Sequence, residues 1–262
     1  MLLKDKVVMI SGIGPGMGIK LALEAAREGA RAVAICARNE ARLREAEHRI
    51  RALGSDCQVL WMPTDVSNAK ACRAFAEATL ERFGRIDALV NSAYAHGGFD
   101  PLESCTDPLL QEALDVNLFG SLHLTRAVLP QMKAQRAGAI VMISTLGVHQ
   151  PYSGGGAYAI SKGSLAVAVR YLASELAEHG LRVNGLACGW MWGEPVQAHV
   201  RDAAAARGVS EEQVRAEFAA GIPGGRMPGD EECARAALFL ASDYASAING
   251  AQLDANGGEL MR

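Results

Sequence analysis

Tyr158 and Lys162 stand four residues apart in the segment Tyr158-Ala159-Ile160-Ser161-Lys162, and Ser144 precedes Tyr158 by fourteen. On a helix, positions i and i+4 lie on one face, so a phenol and an ammonium at this spacing open into one cleft. A free phenol, with a pKa of about 10, is a poor base near neutral pH. A neighbouring ammonium favours the phenolate and lowers that value. A tyrosine tuned in this way takes a proton from an alcohol or gives one to a ketone oxygen. Ser144 ends the apolar run Ala139-Ile140-Val141-Met142-Ile143, which reads as a buried strand. A hydroxyl at the carboxyl end of a parallel strand faces the cleft where open α/β sheets bind ligands, and it can donate to a developing oxyanion. The competing chemistry, a serine hydrolase, lacks its G-x-S-x-G elbow, since Ser144 stands in Met142-Ile143-Ser144-Thr145-Leu146.

The elements that must position these groups begin with a glycine-rich turn. Val7-Val8-Met9-Ile10 is a short β-rich run that leads into Ser11-Gly12-Ile13-Gly14-Pro15-Gly16-Met17-Gly18. Beyond Gly18, the run from Ile19 to Arg27 has helical apolar spacing and ends at Gly29. A strand, a glycine turn and a helix N-terminus form an anion site, because glycines admit a pyrophosphate close to the backbone and free N–H groups point at it. Gly12, Gly16 and Gly18 carry the spacing, and Met17 breaks the common G-x-G-x-x-G pattern. A phosphate cradle together with a tunable phenol implies hydride exchange between a nicotinamide cofactor and an alcohol or ketone. The second strand, Ala32 to Cys36, runs into Ala37-Arg38-Asn39 with no acidic residue to bond the adenosine ribose. Arg38 instead suits a 2′-phosphate, which favours NADP(H) over NAD(H).

Strand-like and helix-like runs alternate along the chain, which implies a parallel sheet covered by helices on both faces. The strands are read at Gln58–Met62, Ile86–Val90, the serine run, Leu181–Leu186 and Ala251–Asp254, and the helices near Asn68–Phe83, Pro108–Gln135 and Ala157–Glu178. The stretch after the sixth strand, about residues 189–227, breaks the rhythm with Trp190, Trp192 and the cluster Gly221-Ile222-Pro223-Gly224-Gly225. It reads as a substrate lid with glycine-rich hinges, with Trp190 and Trp192 bordering the substrate beside Ser144 and Tyr158. His96, His149 and Tyr152 fall in loops near the same cleft and are left outside the catalytic set. Trp61 is assigned to the core.

These motifs resemble the short-chain dehydrogenase/reductase family over nearly the whole chain, from about Lys6 to Gly258. The family's T-G-x-x-x-G-x-G is met with Ser11 in place of threonine, and its Y-x-x-x-K and serine fall on Tyr158, Lys162 and Ser144. The resemblance implies a three-layer, single-domain Rossmann-type doubly wound sheet over residues 1–262. It implies a fourth catalytic residue at Asn117, which shapes its helix and holds a water linking Lys162 to solvent. It places Asp65, followed by Val66, at the adenine, Asn91, Ala93 and Gly189 along the cofactor, and Lys162 and Tyr158 at the nicotinamide ribose. It also implies a homotetramer or homodimer built through the two long helices. Three departures stand out. Asn91-Ser92-Ala93-Tyr94 replaces N-N-A-G, with a bulky Tyr94 where glycine is usual. In Cys188-Gly189-Trp190-Met191-Trp192-Gly193, Cys188 replaces a φ-fixing proline, and Gly193 replaces a threonine that meets the nicotinamide carboxamide.

Composition sets the outer bounds. A chain of 262 residues, half of them apolar, is long enough for one α/β domain with a substantial core. A net charge of −3 gives no electrostatic case for nucleic acid or an anionic membrane. No apolar stretch approaches the ~20 residues that span a bilayer, and Met1-Leu2-Leu3-Lys4-Asp5-Lys6 starts no signal sequence. The expected location is the cytoplasm. Six scattered cysteines without a C-x-x-C pair read as free thiols, and six histidines without ligand spacing give no reason to expect a metal. The expected partner is a small-molecule alcohol or ketone of apolar character, with room for a bulky one. A 3-oxoacyl-carrier reductase is the nearest alternative, but the mixed charges of the lid do not favour an acidic carrier. A nucleotide-sensing protein without turnover is argued against by the retained Asn117, Ser144, Tyr158 and Lys162.

Overall fold

The computed structural model describes residues 1–261. Seven parallel strands run in the order β3-β2-β1-β4-β5-β6-β7: β1 Val7–Ser11, β2 Ala32–Ala37, β3 Gln58–Pro63, β4 Ala88–Asn91, β5 Gly138–Thr145, β6 Leu181–Cys188 and β7 Gln252–Ala255. Alternation along each central strand divides its side chains between two apolar layers. Val8, Ile10, Val33, Ile35, Val90 and Val141 enter one layer, and Met9, Ala34, Leu89, Ile140 and Met142 enter the other. The first layer is closed by α1 (Met17–Arg27), α2 (Glu40–Arg51) and α9 (Asp230–Ala241), and the second by α3 (Ala69–Phe83), α5 (Ser121–Gln135) and α6 (Gly156–Leu176). This is the three-layer doubly wound sheet that alternation and resemblance implied.

Helix starts follow local chemistry. Asn39 Oδ1 accepts from Arg42 N at the head of α2, and Asn68 Oδ1 accepts from Lys70 N and Ala71 N at the head of α3. The long helix expected over 108–135 is built as α4 (Asp107–Leu114), a π-helical turn over Asp115–Gly120, and α5. Such π turns are frequent at functional sites, and this one carries Asn117. The lid stretch holds two helices, α7 (Glu194–Arg207) and α8 (Glu211–Ala219), packed on a small apolar cluster of Val200, Ala204 and Val214. Helix α9 has no counterpart in the sequence reading. Its Cys233, Ala234, Ala237 and Leu238 are small or modest apolar side chains buried in the same layer as α1.

Strand order reverses between β1 and β4, so the connections after their carboxyl ends part and leave a crevice. The glycine turn closes over it. Gly12 has φ +81°, and a Cβ there would meet Ala93 N at 2.4 Å. A Cβ on Gly18 would meet Gly12 O at 2.1 Å, whereas one on Gly14 would have only ordinary contacts, the nearest at 3.7 Å. Gly18→Ala is therefore expected to lower unfolding stability by about 1–3 kcal/mol through overpacking, while Gly14→Ala leaves it unchanged. Chemical denaturation of the two variants checks this. Equal stability would mean the turn opens freely to admit a side chain.

Candidate active site

Lys162 is fully buried in α6, and its Nζ donates to Ile143 O at 2.7 Å. That bond ties α6 to the carboxyl half of β5, one residue before Ser144. Ser144 continues the alternation of Ile140 and Met142 toward the α6 side of the sheet. Its Oγ is buried with no hydrogen-bond partner. Tyr158 lies one turn before Lys162, with Nζ 5.8 Å from the centroid of its ring. Asn117 is fully buried; its Oδ1 accepts from Ala95 N (2.9 Å), and its Nδ2 donates to Ala95 O and to Ser161 Oγ (2.8 Å each). One amide side chain thus joins the π turn, the loop after β4 and α6.

The expected lowering of the phenol pKa is corrected by the structure. Burial pushes Tyr158 up from its ordinary value, and Cys188, Tyr152 and Tyr94 add in the same direction. Burial also pulls the Lys162 ammonium down to about 8, with Cys188 opposing. The physical reason is that the low-dielectric site penalises the charged form of each group. Tyr158 is therefore a neutral phenol at neutral pH and holds a proton to give.

Aromatic side chains surround it. The His96 ring lies nearly parallel to Tyr158, with centroids 5.2 Å apart and planes at 10°, and stacks on Phe99 on its other side at 3.9 Å. His96 Nδ1 bonds Gly98 O, and the Tyr152 hydroxyl is 3.4 Å from His96 Nε2. Tyr94, the departure after β4, meets Tyr158 edge-on with centroids 6.3 Å apart. Trp190 stands toward Tyr152 (6.4 Å) and packs edge-on against Phe218 (4.7 Å). Trp192 does not share that wall. It packs on the small cluster of the lid, with the Arg215 guanidinium over its ring at 5.0 Å. Trp61 is partly buried and packs against the first apolar layer, and its indole N–H donates to Glu47 Oε2 at 2.6 Å.

The glycine turn fits a dinucleotide. Helix α1 has no side-chain cap at its N-cap Gly16; Ile19 N donates to Gly14 O at 3.3 Å, and the N–H groups of Met17 and Gly18 are left for an anion. Ser11 Oγ accepts from Ser92 N (3.2 Å) and Ala93 N (3.4 Å), which locks the turn to the loop after β4. Asn91 ends β4 with a buried, unpartnered Oδ1. Further along the crevice, Arg38, Asp65, Ser67 and Val116 line a cavity of about 360 Å³. Asp65 Oδ1 accepts from Ser67 N and Oγ at 3.0 and 2.8 Å, which holds this loop in shape. Gly189 sits after β6, where a Cβ would meet Glu259 Oε2 at 2.7 Å. Arg42 was missed by the sequence reading. A Cβ on Gly14 would lie 3.7 Å from its Nη1, so the guanidinium extends to the glycine turn. Arg42 is the N3 residue of the helix that Asn39 caps after β2, a position that does not by itself point to the glycine turn.

Comparison with known proteins gives the class. Residues 12–259 match the family model described as Enoyl-(Acyl carrier protein) reductase. Levodione reductase of Leifsonia aquatica is 30% identical over 257 residues, covering 97% of this chain and 94% of that protein. The crystal structure of levodione reductase superposes with a TM-score of 0.91 at 29% identity, over 98% of both chains. NAD+-bound xylitol dehydrogenase gives 0.89 at 26% identity, over 98% of this chain and 100% of that one. Actinorhodin polyketide ketoreductase with NADPH gives 0.88 at 28% identity, over 97% of each. The chain belongs to the short-chain dehydrogenase/reductase family. It is an NAD(P)-dependent oxidoreductase of alcohols and ketones.

A pH dependence follows from the buried pair. With Tyr158 as the acid, ketone reduction would draw on its proton beside a charged Lys162. Its kcat/KM is expected to hold at neutral pH and to fall as pH rises through about 8, where Lys162 loses its proton. Alcohol oxidation would need the phenolate, which burial holds above its ordinary value, and is expected to rise with pH without levelling off in this window. Rate profiles in both directions between about pH 6 and pH 10 report these groups. A reduction rate flat across that window would show that Lys162 stays charged throughout.

Proposed function

We propose that this protein transfers a hydride between NADP(H) and an apolar secondary alcohol or ketone, with Tyr158 as the acid and base. The observation that carries this reading is the buried, unpartnered Ser144 Oγ at the end of β5, on the strand to which Lys162 is tied. A buried hydroxyl without a partner costs free energy, which a substrate oxygen would offset. In reduction, Ser144 donates to the carbonyl oxygen and Tyr158 gives it a proton, while the bound nicotinamide is the hydride source. Lys162 supplies positive charge below the ring and eases the formation of the phenolate that remains. Asn117 holds the loop after β4 against α6 and so keeps Tyr158 in place.

The aromatic wall of Tyr94, His96, Tyr152 and Trp190 supports an apolar, ring-bearing substrate, since such faces favour stacked or edge-on contacts. Residues 189–227 act as a lid on a single domain, with Trp190 toward the substrate and Trp192 holding α7 and α8 together. The lid's Arg207 and Arg226 are paired with Glu217 and Glu232, which lowers the basic charge it could offer an acidic carrier. The exposed apolar residues Ile160, Val167 and Tyr171 along α6, with Phe119 nearby in sequence to α5, support assembly as a homodimer or homotetramer through these helices. Six free thiols support a reducing, cytoplasmic setting. Among the described residues no helix is long and apolar enough to cross a membrane.

The NADP(H) preference rests on two arginines. Arg44, Arg49 and Arg51 of α2 are paired with Glu40, Glu45 and Glu47, whereas Arg38 and Arg42 have no ion-pair partner among the described residues. Two free guanidiniums flanking the end of β2 suit a 2′-phosphate. The test is absorbance of the reduced nicotinamide across a panel of apolar ketones and alcohols, with each dinucleotide, alongside their dissociation constants. NADP(H) is expected to bind more tightly. Arg42→Leu is expected to weaken NADP(H) by roughly tenfold, the loss of one charge-assisted contact, and to spare NAD(H). Ala37→Asp with Arg38→Leu should invert the preference. Tighter NAD(H) binding by the unmodified protein would reduce both arginines to solvated helix-start residues, and no turnover with either dinucleotide would overturn the reaction class.

A further inference from the structure

Asp230 opens α9 as a buried carboxyl, 3% exposed, and its Oδ2 has no hydrogen-bond partner. The backbone on either side is fixed. Trp192 N donates to Pro228 O at 2.8 Å, and Trp192 pairs with Gly229 in a parallel bridge. Gly229 N donates to Glu232 Oε2 at 2.8 Å, and Arg226 holds the same carboxylate. Asp230 therefore stays where it is placed, between the first residues of the lid and the glycine turn.

It faces two glycines. A Cβ on Gly193 would meet Asp230 Oδ2 at 1.9 Å and Cγ at 2.3 Å, and one on Gly16 would lie 3.5 Å from Oδ2. The carboxyl thus occupies the space a side chain at position 193 would fill. It also looks across at the uncapped N-terminus of α1 without bonding to it. A dinucleotide laid on that helix N-terminus brings its pyrophosphate beside Asp230. Two anions there repel in a site of low dielectric, whereas a neutral carboxylic acid has a hydroxyl to donate.

Resting on the dinucleotide reading above, we propose that Asp230 is a cofactor-contact residue that receives the dinucleotide as a neutral carboxylic acid. Its hydroxyl donates to an oxygen of the bound cofactor, so each binding event at neutral pH takes up one proton onto Oδ1 or Oδ2. The charges around it leave this proton within reach. Burial pushes the carboxyl up to about 6, the neighbouring Glu231 adds to the rise, and Lys20 of α1 opposes it while paired with Glu231. On β6 the Cys188 thiol, itself raised by Cys233 and by burial, brings no compensating positive charge. The sign is fixed: affinity is full while Asp230 is protonated and is lost as pH rises through its pKa.

The test is the dissociation constant of NAD+ for the whole protein from pH 5.5 to pH 8 by calorimetry, with proton uptake read from buffers of different ionisation enthalpy. NAD+ is the probe because the 2′-phosphate of NADP+ titrates in the same range. Between pH 6 and pH 8 the affinity is expected to weaken by about fiftyfold when only the neutral form binds, with close to one proton taken up per NAD+ at the upper end. Asp230→Asn keeps the shape and a donor, and is expected to abolish both the pH dependence and the proton uptake. Glu231→Gln, on the same helix turn, is expected to keep both, with the profile moved to lower pH because Glu231 adds to the rise. A flat profile with no proton uptake in the unmodified protein, or a dependence that persists in Asp230→Asn, would overturn the role of Asp230 while leaving the dinucleotide site standing. Absence of NAD+ and NADP+ binding at every pH would overturn the dinucleotide reading itself, and this proposal with it.

Discussion

A single buried hydrogen bond, from Lys162 Nζ to Ile143 O, ties the chemistry of this protein to its sheet. An ammonium held away from water is costly unless it is bonded, and the β5 carbonyl meets part of that cost. In doing so it fixes α6 against the carboxyl end of the strand. Ser144 follows Ile143 on that strand, and Tyr158 precedes Lys162 by one helical turn. The relative placement of hydroxyl, phenol and ammonium is therefore set by secondary structure and one bond. Asn117 secures the arrangement from the other side, through the loop after β4 and Ser161.

The buried polar atoms left without partners show where this fold accepts a cost for function. Ser144 Oγ, Asn91 Oδ1, Asp230 Oδ2 and Glu259 Oε2 are such atoms among the described residues. Ser144 and Asn91 lie at the carboxyl ends of β5 and β4, and Asp230 and Glu259 face glycines on the segment that follows β6. Buried polar groups are otherwise paired throughout folded proteins, so a cluster of exceptions at one edge of the sheet marks the ligand face. The aromatic side chains of the loops after β4 and β5 cover the same edge.

Much of this was legible in the sequence because it depends on period and spacing. Short apolar runs marked the strands, the i,i+4 rule marked Tyr158 and Lys162, and the close contacts of Gly12 and Gly18 account for the glycine turn. What was not legible depends on distant segments meeting. Trp190 and Trp192 look alike in sequence, yet the bridge from Trp192 to Gly229 turns one into the packing of the lid. Arg42 reaches the glycine turn only because α2 folds back beside it. Asp230 drew no reading from the sequence, and only the packing of α9 on α1 brings it to Gly16 and Gly193. The direction of the Tyr158 shift was misjudged for a related reason. Spacing reveals a neighbouring charge, but only the folded chain reveals how much water both groups have lost.

The central claim is that Tyr158 carries the transferred proton. The direct measurement is the single-turnover rate of ketone reduction by Tyr158→Phe, followed by loss of reduced-nicotinamide absorbance, with the dinucleotide dissociation constant measured on the same sample. The ring and its packing persist in this variant, so dinucleotide affinity should be unchanged while the rate falls by about 10²–10⁴-fold, the usual contribution of general acid–base catalysis. A rate close to that of the unmodified protein, with the dinucleotide bound, would mean that another group supplies the proton.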